Sequence, residues 1–150
     1  MKKRIDYYQA APDVINGIAA ASKQVAESFA DHKLKALVEL RVSQINGCAY
    51  CINLHNQEAR ALGERQQRLD CLSVWREVGF FSDRERAALA WAESVTLIAK
   101  GVPSDEIYEE AAKHFNAEEL VQLTSVISLM NLWNRISISF GKTPGERKEG

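Results

Sequence analysis

Proline is scarce in this chain, 3 residues in 150, and Pro12, Pro103 and Pro144 all stand at the edges of apolar periodicity. Long helices are therefore left unbroken. No apolar stretch is long enough to span a bilayer, which takes about 20 residues, so no membrane association is expected. Neither sign of charge dominates: 19 basic and 20 acidic residues leave a formal net charge of −1. That balance lacks the basic footprint of a nucleic-acid binder. The opening residues, Met1 to Tyr8, carry positive charge with no apolar run behind it, unlike an export signal. A cytoplasmic protein is the expectation. Cysteine is sparse too. Cys48, Cys51 and Cys71 are the whole set, and an odd count without an export signal argues against a structural disulfide framework. In a reducing compartment, closely spaced cysteines are more often metal ligands or reactive thiols.

What is present is ordinary globular material, 46% apolar and 26% charged. A chain of this length can bury roughly 70% of its unfolded surface around one core. Strand signals are nearly absent, and helix punctuation recurs. Pro12 suits the first turn of a helix over Asp13 to Phe29, with Val14, Ile18, Ala21, Val25 and Phe29 at helical spacing. A second helix is expected from Lys33 to Ile45, stopped by the turn dipeptide Asn46-Gly47. Cys48 to Leu62 follows, ending at Gly63, and Gln67 to Trp75 reads as a short helix. Ser82-Asp83-Arg84-Glu85 is a capping box opening a helix through Val95. Ser104 to Phe115 is shorter. Asn116 and Glu119 cap the most apolar stretch, Leu120 to Phe140, whose apolar residues cover nearly all faces. Such a helix belongs at the centre of a domain or against a partner. The expected architecture is a single all-α domain over residues 1–145 with a tail at 146–150, assembling as an oligomer through its helices.

The chemistry concentrates in Cys48-Ala49-Tyr50-Cys51-Ile52-Asn53-Leu54-His55. At about 100° per residue, the two cysteines lie roughly 60° apart on a helix and His55 projects between them. The Asn46-Gly47 turn puts Cys48 near the helix N-terminus, where free N–H groups and the macrodipole favour a thiolate. Cys-X-X-Cys spacing lets a disulfide close locally. His55, one turn beyond Cys51, is placed to move its proton. The helix terminus favours Cys48 as nucleophile and the imidazole favours Cys51. Proton transfer accompanies attack, so Cys51 is assigned as the attacking thiol and Cys48 as the resolving one, with the reverse order left open. Glu58 and Glu39 are the acidic groups placed to orient His55. A zinc site would need Cys71, His32 or His114 as a fourth ligand, none at a motif spacing. Cys71 is expected to be a buried apolar residue, and His32 and His114 structural. Tyr50 is expected to pack, and Trp75, Trp91 and Trp133 to belong to core or interface rather than to a substrate box. No metal or organic cofactor is expected.

The stretch LKALVELRVSQINGCAYCINLHNQEARA from Leu34 to Ala61, together with WREVGFFSDRERAALAWAESVT from Trp75 to Thr96, resembles the alkylhydroperoxidase D (AhpD-like) and carboxymuconolactone decarboxylase family. The resemblance implies an all-helical fold assembled as a trimer or hexamer. It also implies reduction of a hydroperoxide through a cysteine sulfenate, closure to a disulfide, and re-reduction by a dithiol donor of the lipoyl-adaptor type. By position, Cys51 becomes the peroxidatic thiol, Cys48 the resolving thiol and His55 part of a proton relay. The family's relay carboxylate falls at Ala36 here, and Glu39, one turn later, is the nearest substitute. Tyr50 stands where some members carry a second histidine. The decarboxylase branch lacks the cysteine pair, so a lactone lyase using His55 as base is a lesser alternative, as is a redox-responsive oligomer without turnover.

Overall fold

The breaks read from the sequence are built as helix caps. The computed structural model describes residues 2–146. Asp31 accepts the Leu34 N–H at the start of one helix, Ser82 and Glu85 form a reciprocal capping box at another, and Asn116 and Glu119 do so at a third. Each satisfies N–H groups that a helix start leaves unpaired. The elements, in order, are α1 (Tyr7–Ala10), α2 (Pro12–Ser28), α3 (His32–Asn46), α4 (Ala49–Ala61), α5 (Gln66–Asp70), a 3₁₀ segment (Leu72–Glu77), α6 (Asp83–Thr96), a 3₁₀ turn (Ile98–Lys100), α7 (Asp105–His114) and α8 (Ala117–Ser139). Among the described residues there is no strand, and no helix is long and apolar enough to cross a membrane. The all-α expectation holds. The proposed tail falls mostly on residues 147–150, outside the described range.

Two details differ from the sequence reading. The helix expected over Gln67 to Trp75 is two pieces, α5 and the 3₁₀ segment, with Val74 off helical geometry (φ −122°, ψ 30°). Helix α1 was not anticipated, since four residues carry no periodicity to read.

The central helix is α3, not α8. Leu34, Val38 and Val42 enter one apolar cluster with Phe29, Phe115, Leu123 and Ile127. Ala36, Leu37 and Leu40 enter a second with Leu69, Leu72, Trp75 and Leu89. Both faces of α3 are thus buried, although it carries Lys35, Glu39 and Arg41. These charges are paired at the rim of the core: Lys35 Nζ lies 2.8 Å from Glu39 Oε2, and Arg41 Nε lies 2.9 Å from Glu93 Oε1. Long stems cover apolar surface while the heads find partners, so charge along a sequence hides a central helix. Helix α8 buries one face, Leu120, Leu123, Val126, Ile127, Met130, Asn131, Asn134 and Ser137. Its opposite face is partly exposed, with Val121 at 68%.

The chain leaves α3 at Gly47, whose φ of +69° is the left-handed conformation that glycine adopts at least cost. It re-enters helix at α4, which packs back on α3. That single turn decides what Cys48 and Cys51 face.

Candidate active site

Cys48 is the N-cap of α4, in extended geometry, and its Sγ accepts the Cys51 N–H at 3.3 Å. The two cysteines are joined by a disulfide with a Cα–Cα separation of 5.3 Å. Both are buried, at 1% and 3% exposure, and both belong to the first core cluster. Cys51 also lines a cavity of about 330 Å³, and Cys48 is not among its lining residues. Cys51, His55 and Ala59 form the buried stripe of α4, as one-turn spacing requires.

His55 is held through Nδ1. Glu58 Oε2 stands 2.8 Å from it and Glu39 Oε2 stands 3.5 Å from it. Glu39 comes from α3 across the Gly47 turn, and its carboxylate also takes Lys35. The hydrogen bond from His55 holds the Glu58 carboxyl below the usual carboxylate range, despite partial burial. Among the described residues, the hydrogen bonds to the imidazole involve Nδ1 alone, which leaves Nε2 for the cavity. Ligand atoms of Glu39, His55 and Glu58 lie within 4.8 Å of one another, which among the described residues is a grouping that could hold a metal ion. Lys35 pairs with the Glu39 carboxylate of this group. Ala36, where the resemblance places the relay carboxylate, is buried in the second core cluster.

The cavity wall opposite α4 is apolar: Val25, Val126, Leu129, Met130 and Trp133. Trp133 was expected in core or interface. It packs, half-buried, against the first core cluster and also lines the cavity, with its Nε1–H donating to Ser22 Oγ on α2 at 2.8 Å. Tyr50 also lines the cavity rather than only packing, with the Lys142 ammonium 4.1 Å from its ring centre. Tyr7 and Tyr8 close one end. Tyr7 is buried, and its hydroxyl is 3.4 Å from Ser137 Oγ. Nothing in the sequence near the cysteines pointed to these tyrosines, which the fold brings from the other end of the chain. Lys35 and Glu58, by contrast, were readable as neighbours of Glu39 and His55 at helical spacing. His32, His114 and Cys71 lie outside the cavity, so none of them joins the cysteine pair. Cys71 is half-buried with a free thiol rather than fully buried. It ends the short α5, where only one side of the chain faces the core.

The carboxymuconolactone decarboxylase family model matches residues 12–94, from α2 through most of α6. The chain belongs to the carboxymuconolactone decarboxylase family. One family relative, the uncharacterized protein YdfG of Bacillus subtilis (strain 168), is 42% identical over 142 residues, which is 94% of this chain and 96% of that one. Another, the uncharacterized protein YnjA of Escherichia coli (strain K12), is 31% identical over 71% of this chain and 58% of its own length. A crystal structure of a protein of unknown function from Agrobacterium tumefaciens, suggested to be an antioxidant defence protein AhpD, superposes with a TM-score of 0.93 at 38% identity, covering 97% of this chain and 100% of that one. The debrominase Bmp8 shares the fold, with a TM-score of 0.80 at 20% identity over 92% of this chain and 74% of its own. The AhpD-like helical fold is thereby established for this family member.

Proposed function

We propose that this chain is a thiol-dependent peroxidase and disulfide oxidoreductase that reduces organic hydroperoxides through Cys51 and Cys48. The observation that carries this reading is the unequal placement of the two sulfurs. Cys51 opens on a cavity that also holds His55, whereas Cys48 does not line that cavity but lies within bonding reach of Cys51. A hydroperoxide enters along the apolar wall. The Cys51 thiolate attacks its terminal oxygen, the O–O bond breaks, and the alkoxide takes a proton delivered through His55 to leave as an alcohol. Cys51 becomes a sulfenic acid. The Cys48 thiolate then attacks that sulfur, an S–S bond forms, and hydroxide leaves as water. A dithiol of the lipoyl type reopens the disulfide by thiol–disulfide exchange and becomes oxidised in turn.

Glu39 serves as the relay carboxylate in place of Ala36. It reaches the same imidazole nitrogen as Glu58 and comes from a rigid, central helix, so the proton-handling group is fixed before substrate arrives. The steps as written balance without a metal or organic cofactor. The apolar groove formed by Val25, Trp91, Tyr108, Val121, Leu129 and Leu132 supports a second copy of this chain as its cover, consistent with a trimer or hexamer.

The test uses fully reduced protein and one equivalent of cumene hydroperoxide. Wild type should consume the peroxide, lose two thiols and gain a Cys48–Cys51 disulfide, and Cys51→Ser should consume none. Equal consumption by both proteins would sink the peroxidase reading. Disulfide formation with only background turnover would instead favour a redox-responsive oligomer. Lactone turnover that survives alkylation of both thiols would favour the lyase.

A further inference from the structure

The most apolar helix of the chain buries two carboxamides. Asn131 is 6% exposed and Asn134 is 0% exposed, both on the face of α8 that meets α3. Asn46, the last residue of α3, donates through Nδ2 to Asn131 Oδ1 and to Asn134 Oδ1, each at 2.9 Å. Asn134 Nδ2 donates to Ser43 Oγ at 3.1 Å, and Ser43 Oγ donates to the Glu39 carbonyl at 2.8 Å. The Ser43 carbonyl in turn accepts the Cys48 N–H at 3.1 Å. Asn131 Nδ2 is taken by the Ile127 carbonyl and by Thr96 Oγ1. Among the described residues, no buried side-chain nitrogen or oxygen is left without a partner.

Such a network is a poor way to gain stability. Burying carboxamides costs desolvation that their mutual hydrogen bonds roughly cancel, and apolar residues of similar volume would pack as well. What hydrogen bonds add is direction, because they hold only at one geometry. Here that geometry fixes the residue two before Cys48. The Asn46-Gly47 turn is exposed at Gly47 and, among the described residues, has no other side-chain bond to the body of the protein, so these two bonds are what tie it to α8.

We propose that Asn131 and Asn134 are positioning residues that hold the Asn46-Gly47 turn, and through it the Cys48 sulfur, in register for disulfide closure. This rests on the thiol-peroxidase reading above. In the resolving step, Cys48–SH and Cys51–SOH yield the S–S bond and one water. The first step, attack of Cys51 on peroxide, does not involve Cys48. The two steps should therefore respond differently to loss of the network.

The experiment compares wild type with the double variant Asn131→Leu/Asn134→Leu in single-turnover oxidation by cumene hydroperoxide, with dimedone trapping of sulfenate and mass analysis. In the variant, the Cys51 oxidation rate should stay within about twofold of wild type. Disulfide closure should slow by roughly 10- to 100-fold, the scale of an ångström-level misplacement, and trapped sulfenate should accumulate. A merely structural role would slow both steps together or neither. Should the double variant fail to fold, Asn46→Ala removes the shared donor from the other side and is read in the same way. A folded variant that closes its disulfide at the wild-type rate overturns the proposal. A wild type that forms neither sulfenate nor disulfide overturns the peroxidase reading instead.

Discussion

Replacing Glu39 by Gln separates a relay carboxylate from a merely structural one. The side chain keeps its shape and loses its charge, at a position 13% exposed and 3.5 Å from His55 Nδ1. A unit-charge pair at that distance is worth about 5 kcal/mol at an effective dielectric of 20 and about 1 kcal/mol in water. Lys35 already neutralises part of the Glu39 charge, and Glu58 remains 2.8 Å from the same nitrogen. The lower half of the range therefore applies, about 2 kcal/mol of stabilisation for an imidazolium forming as the proton moves. That corresponds to roughly a 30-fold slower oxidation of Cys51. Stability also falls, because Lys35 at 18% exposure loses its partner. The double variant Lys35→Met/Glu39→Gln removes that orphan charge. It should recover most of the melting temperature yet stay at least about 10-fold slow. The assay is single-turnover loss of hydroperoxide by reduced protein, alongside thermal unfolding. A Glu39→Gln protein that oxidises within twofold of wild type refutes the relay role, and full recovery of rate in the double variant would reduce Glu39 to a structural partner of Lys35.

Other outcomes follow from the same structure. Burial works against the Glu93 charge, but hydrogen bonds from Trp75, Arg76 and Arg41 outweigh it and hold the carboxyl below its ordinary value. Its contribution is complete above the unfolded value of about 4.5 and is lost as pH falls through the lower folded value. Glu93→Gln should thus cost roughly 2 kcal/mol at pH 7, with the gap in melting temperature closing under acid; a gap unchanged at pH 3 would contradict this. Leu123→Ala, at a residue with 0% exposure, should cost about 3 kcal/mol in denaturant unfolding. Gly141 has φ +67°, and a Cβ there would run into the Lys2 carbonyl. Gly141→Ala should therefore loosen the N-terminal segment that carries Tyr7 and Tyr8, seen as faster amide exchange there while α3 stays protected. Light scattering should report a mass several times that of one chain, and a monomer at all concentrations would exclude the proposed second-copy cover.

Most helix limits were legible because each rests on local chemistry. The Ser82–Glu85 and Asn116–Glu119 boxes and the Gly47 stop need only neighbours in sequence, and the structure forms them as read. The ranking of helices was not legible. Helix α8 is apolar all round but buries one face, while α3 carries charge and is buried on two, because Lys35, Glu39 and Arg41 find partners, Arg41 with Glu93 of distant α6. The cavity shows the same division. Cys51, His55 and Glu58 share α4 and could be placed on one face by counting. Tyr7, Tyr8 and Trp133 reach it only because α1 and α8 converge there.

The sequence by itself determined that the chain is helical, that two cysteines and a histidine share one helix start, and that a turn precedes them. Those facts depend on spacing within one or two turns, where backbone geometry leaves little choice. Only the tertiary structure decided that Cys51 lines a cavity and Cys48 does not, that Glu39 reaches the imidazole, and that two carboxamides of α8 grip the turn. Each of these depends on how separate helices pack, and packing direction is set by the summed burial of many side chains rather than by any one of them.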